Sequence, residues 1–208
     1  MTMDPQPFKN PKVPLIIDCA LAIMKEKGDQ GLTMRQVAAR AGISLSNVQY
    51  YFKNKNELLK GMVDFYCAKC AALSEERMAE SGAATPRERL RELIAYNLDQ
   101  GDDRAEIYRI FRELWAIAGR NEEIDAHLKA YYAAWAEMLS ELVAPLAVHP
   151  DAISRAVSLL LPYIEGYGVM ASVIPLDTEQ VTRMLTDTLF SLLEGESGLP
   201  SQAPAQEK

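Results

Sequence analysis

Between Ala41 and Lys55 the chain reads AGISLSNVQYYFKNK, and the side chains there are of kinds that recognise a polyanion. Gln and Asn amides bond bidentately to adenine in a major groove, while Ser, Tyr and Lys hold phosphate oxygens. If the segment is helical, its spacing places Leu45, Ser46, Gln49, Tyr50 and Lys53 on one side, with Asn47 at the border. Ile43, Val48, Tyr51 and Phe52 then fall on the other side and should pack inward. Such an outward face fits a nucleic-acid groove, and it also fits a solvated face in any helical bundle.

Other reactive groups are thinly spread. Cys67 and Cys70 form a Cys-Ala-Lys-Cys pair inside a long helical pattern, without the second Cys/His pair that zinc requires. With Cys19 they are too few for a disulfide framework and fit a reducing compartment. Glu123 and His127 lie four apart, a spacing that a surface pair explains as well as a metal does. The acids of Asp102-Asp103-Arg104-Ala105-Glu106 suit the start of a helix for dipole reasons alone. No Gly-rich phosphate loop, nucleophile elbow or Ser/His/Asp arrangement is present, so neither catalysis nor a metal or cofactor is expected.

The elements that position the polar stretch are helices, for nearly every segment has helical spacing and none a sustained strand alternation. Val13, Ile16, Ile17, Ala20, Leu21 and Met24 make a first stripe that should end near Lys27-Gly28. Thr33 caps a second helix, and Gln36 three positions on completes the pattern of a capping box. Gly42 ends that helix and Ser44 caps a third, which makes a helix-turn-helix. Further helices are predicted over 54–79, 86–100, 103–118, 122–147, 151–174 and 178–194. The Gly/Ser/Pro/Gln-rich tail 196–208 is expected to be disordered.

Charge divides the same way. Residues 1–60 carry nine Lys/Arg and five Asp/Glu, whereas the chain of 208 as a whole has net charge -7. A basic end on an acidic body implies that the first part meets the polyanion. With 49% hydrophobic and 25% charged residues the chain is globular. No run approaches the ~18 apolar residues of a membrane span, and the first residues lack the apolar core of a signal peptide. A cytoplasmic protein without a membrane partner is expected.

The block LTMRQVAARAGISLSNVQYYFKNKNELL resembles the DNA-binding signature of the TetR family of bacterial transcriptional repressors. Val37-Ala38, Ala41-Gly42-Ile43-Ser44, Val48, Tyr51-Phe52 and Lys55 to Leu58 carry the likeness, over about the first quarter of the chain. It departs at Ser46, Asn47 and Gln49, where the family often has Gly, Thr and Tyr, and these changes bear on the operator sequence more than on the fold. The resemblance implies phosphate contacts from Thr33, Arg35, Ser44, Ser46, Tyr50 and Lys55, with Lys53 adding charge. Asn47 and Gln49 are the candidates for base edges.

It also implies an all-α protein with a helix-turn-helix domain over 1–54 and a helical effector-binding and dimerisation domain over 55–195. The last two helices would pair with their mates in a homodimer through 151–194. An effector of unknown identity would lie among the middle helices, where large adaptable side chains concentrate: Met62, Tyr66, Tyr108, Phe111, Trp115, Tyr131, Trp135, Tyr163 and Met170. Glu165, inside LLLPYIEGYGVM, is the candidate polar anchor, a rim position or an intrachain partner being the other readings. Each of these side chains is also ordinary core material. The rival function is an all-α ligand-binding or carrier protein with a degenerate helix-turn-helix.

Overall fold

A computed structural model of the chain describes residues 10–99 and 101–195, so the tail expected to be disordered lies outside the described residues. Among the described residues are nine α-helices and no strand: α1 Lys12–Gly31, α2 Met34–Ala41, α3 Leu45–Tyr51, α4 Lys55–Ser81, α5 Pro86–Leu98, α6 Asp102–Ala118, α7 Glu122–Val143, α8 Pro150–Met170 and α9 Thr178–Glu194. The helix expected over 122–147 ends earlier, at Val143, and continues as a 3-10 turn over Ala144–Leu146 that contains Pro145. In α1 the regular helix breaks at Gly28, whose φ of 66° is left-handed, and one further turn follows to Gly31.

Side chains cap several of the helix starts. Thr85 and Glu88 exchange bonds across the start of α5, Glu88 N to Thr85 Oγ1 at 3.2 Å and Thr85 N to Glu88 Oε2 at 2.9 Å. At α2 only half of the expected box forms. Gln36 N donates to Thr33 Oγ1, but Gln36 Oε1 is buried without a partner.

Two compact units emerge. Unit one joins the chain up to Gly82 with Asp99–Glu137, and unit two joins Ala83–Leu98 with the chain from Met138 onward. In unit one α1 packs on α2, α4 and α6, and α2 packs on α3. Its core includes Ile16, Ile17, Ala20, Val37, Val48, Leu58, Leu59 and Met62, joined by Leu114, Ile124 and Leu128. The helix-turn-helix thus shares one continuous core with α4, α6 and α7, and this core fixes its position.

Unit two is built from α5, α8 and α9, each packed on the other two. Two expectations change here. Pro150–Val173 is long and apolar enough to span a membrane by length and composition alone, although the sequence was read as holding no such run. Its Ala156, Leu160, Ile164 and Tyr167 are buried inside unit two, but only 28% of its apolar window is buried in the single chain. Within the 151–194 stretch expected to pair with its mate, Leu185, Leu189 and Leu193 of α9 are likewise buried within the single chain, because that stripe faces the unit's own core.

Candidate nucleic-acid interface

Three local devices place the α3 face. Gly42, with φ 66°, ends α2 in a Schellman turn in which Ile43 N donates to Ala38 O and Gly42 N to Ala39 O. Ser44 then caps α3 by accepting from Asn47 N at 3.2 Å, and its Oγ lies 2.9 Å from Ser46 Oγ. Finally Val48 at 0% and Phe52 at 8% exposure anchor the inner side. What remains outward is Ser44, Ser46, Asn47, Gln49, Tyr50 and Lys53, all exposed, with Tyr50 at 81%. Leu45, read as outward, is partly buried against the core.

Thr33 and Arg35, at the start of α2, are exposed beside this segment in the chain. The helix-turn-helix is also tied to α1 and to Asn10 just before that helix. Asn10 caps Lys12 N with its Oδ1 and donates from Nδ2 to Tyr51 Oη at 3.0 Å. Arg40 of α2 binds Glu26 of α1 through both guanidinium nitrogens at 2.7 and 2.8 Å. Both residues are solvent-exposed, so this fork fixes orientation more than it adds stability.

Lys55, the remaining expected phosphate contact, is turned inward. Its ammonium donates to Asp29 O at 2.6 Å and sits 2.7 Å from Asp29 Oδ1. Arg120 Nη2 reaches the other carboxylate oxygen at 3.0 Å. Burial raises the Asp29 carboxyl, but the bonds from Lys55 and Arg120 outweigh it and hold the group below its ordinary value. A carboxyl lowered in this way favours the fold above its unfolded pKa and loses that contribution as pH falls through the folded value. The melting-temperature gap between the wild type and Asp29→Asn is therefore expected to be constant near neutrality and to shrink below pH about 4. Melts from pH 7 to 3 check this, and a gap that widens in acid would contradict it.

Sequence reasoning missed Asn10, Asp29, Arg40 and Arg120, since each acts through a partner far along the chain. Only Asp29 carried a local hint, standing directly after the helix-breaking Gly28. A second polar seam joins α4 to α7: Lys60 pairs with Glu123 at 2.7 Å, Asn56 donates to Glu123, and His127 lies 2.7 Å from Asp64. Glu123 and His127, weighed above as a chelating pair, thus each have a partner on α4. Among the described residues no group of three His, Cys, Asp or Glu side chains is placed to hold a metal.

The effector candidates divide between the units. Met62, Tyr66, Tyr108, Phe111, Trp115, Tyr131 and Trp135 belong to unit one, and Tyr163, Glu165 and Met170 to unit two. Met62, Tyr66, Tyr108 and Phe111 are buried core. Trp115 is 40% exposed and stacks on Tyr132 at 5.5 Å, with its Nε1 donating to Tyr132 Oη. Tyr131 in turn stacks on Trp135 at 6.4 Å, so α6 and α7 share an aromatic ladder that is open at its Trp115 end. In unit two Tyr163 stacks on Tyr167, burial raises its phenol, and Met170 is exposed.

Comparison with known proteins agrees with this architecture. Residues 16–62 match the model for bacterial regulatory proteins of the tetR family, and residues 86–194 match the C-terminal model of BetI-type transcriptional repressors. An uncharacterised HTH-type transcriptional regulator from the dhlA 5' region of Xanthobacter autotrophicus is 43% identical over 89% of this chain and 92% of its own. The HTH-type transcriptional regulator BetI of Burkholderia mallei is 30% identical over 86% of this chain and 91% of its own. In fold, the multidrug-binding protein EbrR, solved with imidazole, superposes with TM-score 0.61 at 22% identity, over 92% of this chain and 97% of its own. With its capped recognition helix, basic N-terminal part and BetI-type C-terminal segment, the chain belongs to the TetR family and is a DNA-binding transcriptional repressor.

Proposed function

We propose that a homodimer of this chain reads its operator with Asn47 and Gln49 on base edges, while Thr33, Arg35, Ser44, Ser46, Tyr50 and Lys53 hold the phosphate backbone. The observation that carries this reading is α3 itself, rigid on its Val48 and Phe52 side and polar on the side left open. Two such helices related by a two-fold axis reach successive major grooves about 34 Å apart. The mates would pair through 151–194. On α8 the exposed Ser154, Ser158, Pro162 and Gly166 form a face of small residues that permits close helix approach, and on α9 Met184 is 45% exposed. The protein would act in the cytoplasm, by binding alone, with no membrane partner.

A small apolar or amphipathic effector, held among the aromatic and Met side chains named above, would lower operator affinity. The aromatic ladder of α6 and α7 supports this, as does the occurrence of a small-molecule complex in EbrR, which has the same fold. Release requires that the effector favour the conformation in which the recognition helices are misplaced, since equal affinity for both states shifts nothing.

Repeated selection of bound duplexes from a random library tests the DNA reading. The expected product is a two-fold symmetric site with half-site centres about one helical turn apart. Recovery of no sequence preference would favour the carrier reading. Compounds that raise the melting temperature should then each weaken binding to the selected site by roughly 5- to 150-fold, and tight binders that leave it unchanged would remove the effector from the scheme.

A further inference from the structure

We propose that Asp29 is a positioning residue that withholds the Lys55 ammonium from DNA. The break at Gly28 sets Asp29 just past the regular part of α1, where its side chain is only 16% exposed. Lys55 is the first residue of α4, and only Lys53 and Asn54 separate it from Phe52, the C-cap of α3. Its backbone is thus carried close behind the DNA-facing helix, yet its ammonium is folded back onto two acceptors of one residue, Asp29 O and Oδ1.

An ammonium has three donors; Asp29 O takes one of them, and the carboxylate, its Oδ1 2.7 Å away, offsets the charge. A phosphate must compete with this arrangement to recruit Lys55. Arg120 sets the terms of the competition. Its Nη1 is fixed on Ala116 O at 2.8 Å in the last turn of α6, and its Nη2 holds Asp29 Oδ2. The carboxylate therefore keeps one cationic partner whichever way Lys55 turns, and stays ionised to draw it back. Lys53, two residues earlier, is exposed.

The test is the salt dependence of binding to a random-sequence duplex, because each neutralised phosphate adds about 0.9 to the slope of log affinity against log salt. Four proteins are compared: the wild type, Asp29→Asn, Lys55→Ala and the double variant. Asp29→Asn is expected to bind several-fold more tightly at low salt with a slope steeper by about 0.9. In the double variant the extra slope should vanish, and Lys55→Ala alone should leave the wild-type slope unchanged. The proposal is overturned if Lys55→Ala alone removes about 0.9 from the slope or if Asp29→Asn leaves it unaltered. Should Asp29→Asn not fold, the Lys55→Ala result alone decides. The proposal rests on the DNA-binding reading, and the two fail separately: a wild type that does not bind duplex overturns that reading, whereas a binder whose slope depends on Lys55 overturns only the withholding.

Discussion

Leu189→Asp is expected to unfold unit two and not to release folded monomers. Leu189 has no exposed surface, and Leu185, Phe190 and Leu193 beside it on α9 are also buried in the single chain. Removing a buried Leu side chain alone costs about 2–5 kcal/mol. A carboxylate in its place adds the cost of an unpaired charge, against a total stability of roughly 5–15 kcal/mol. Met184→Asp makes the contrast, because Met184 is 45% exposed and its replacement leaves the core of α5, α8 and α9 intact. Far-UV circular dichroism with light scattering should therefore show loss of helix for Leu189→Asp, and a folded chain shifted toward monomer for Met184→Asp. A folded Leu189→Asp protein would mean that the α9 stripe is not core.

That contrast marks the limit of what helical periodicity reveals. The stripe Val181, Leu185, Leu189 and Leu193 identifies α9 and its apolar face without ambiguity, but periodicity does not say whether a neighbouring helix of the same chain or a second chain covers that face. Capping chemistry was more informative, since Thr33 and Ser44 bond within three residues of themselves and their effect is local. Gln36 shows the exception, as its amide oxygen is buried without completing the box.

The exposed polar side of α3 was legible because spacing alone separates Val48 and Phe52 from Ser46, Gln49 and Tyr50. Lys55 was not legible in the same way. Its type and place suit a phosphate, and only the fold reveals that Asp29, 26 positions earlier, holds it, with Arg120, just past the end of α6, on the other oxygen of the same carboxylate. The effector candidates illustrate a third case. Aromatic and Met residues mark apolar interior equally well whether it is a ligand site or a filled core, and Met62, Tyr66 and Phe111 are buried as core residues are.

Gln49→Ala is expected to erase a base preference without weakening the protein's hold on DNA in general. Gln49 is exposed on a helix whose start is fixed by Ser44 and whose inner side is anchored by Val48 and Phe52. Its amide is therefore presented with little ordering left to pay for, and Ala, the best helix former, leaves α3 in place. The loss at the selected site should be about 1–3 kcal/mol, concentrated at one base-pair position in each half-site. Lys53→Ala should act differently, weakening selected and random duplexes alike and reducing the salt slope by about 0.9. Titrating both variants against the selected duplex, its single-base-pair substitutions and a random duplex across a series of salt concentrations separates the two roles. If Gln49→Ala loses equally on selected and random DNA, its amide touches backbone, and Asn47, at the border of the same face, is left to carry the readout. If instead the loss confines itself to one position, the geometry of α3 fixes the direction of the remaining contacts. Asn47 precedes Gln49 by two residues and so points about 200° away around the helix, which lets the single-base-pair substitutions score its contact independently of the one made by Gln49.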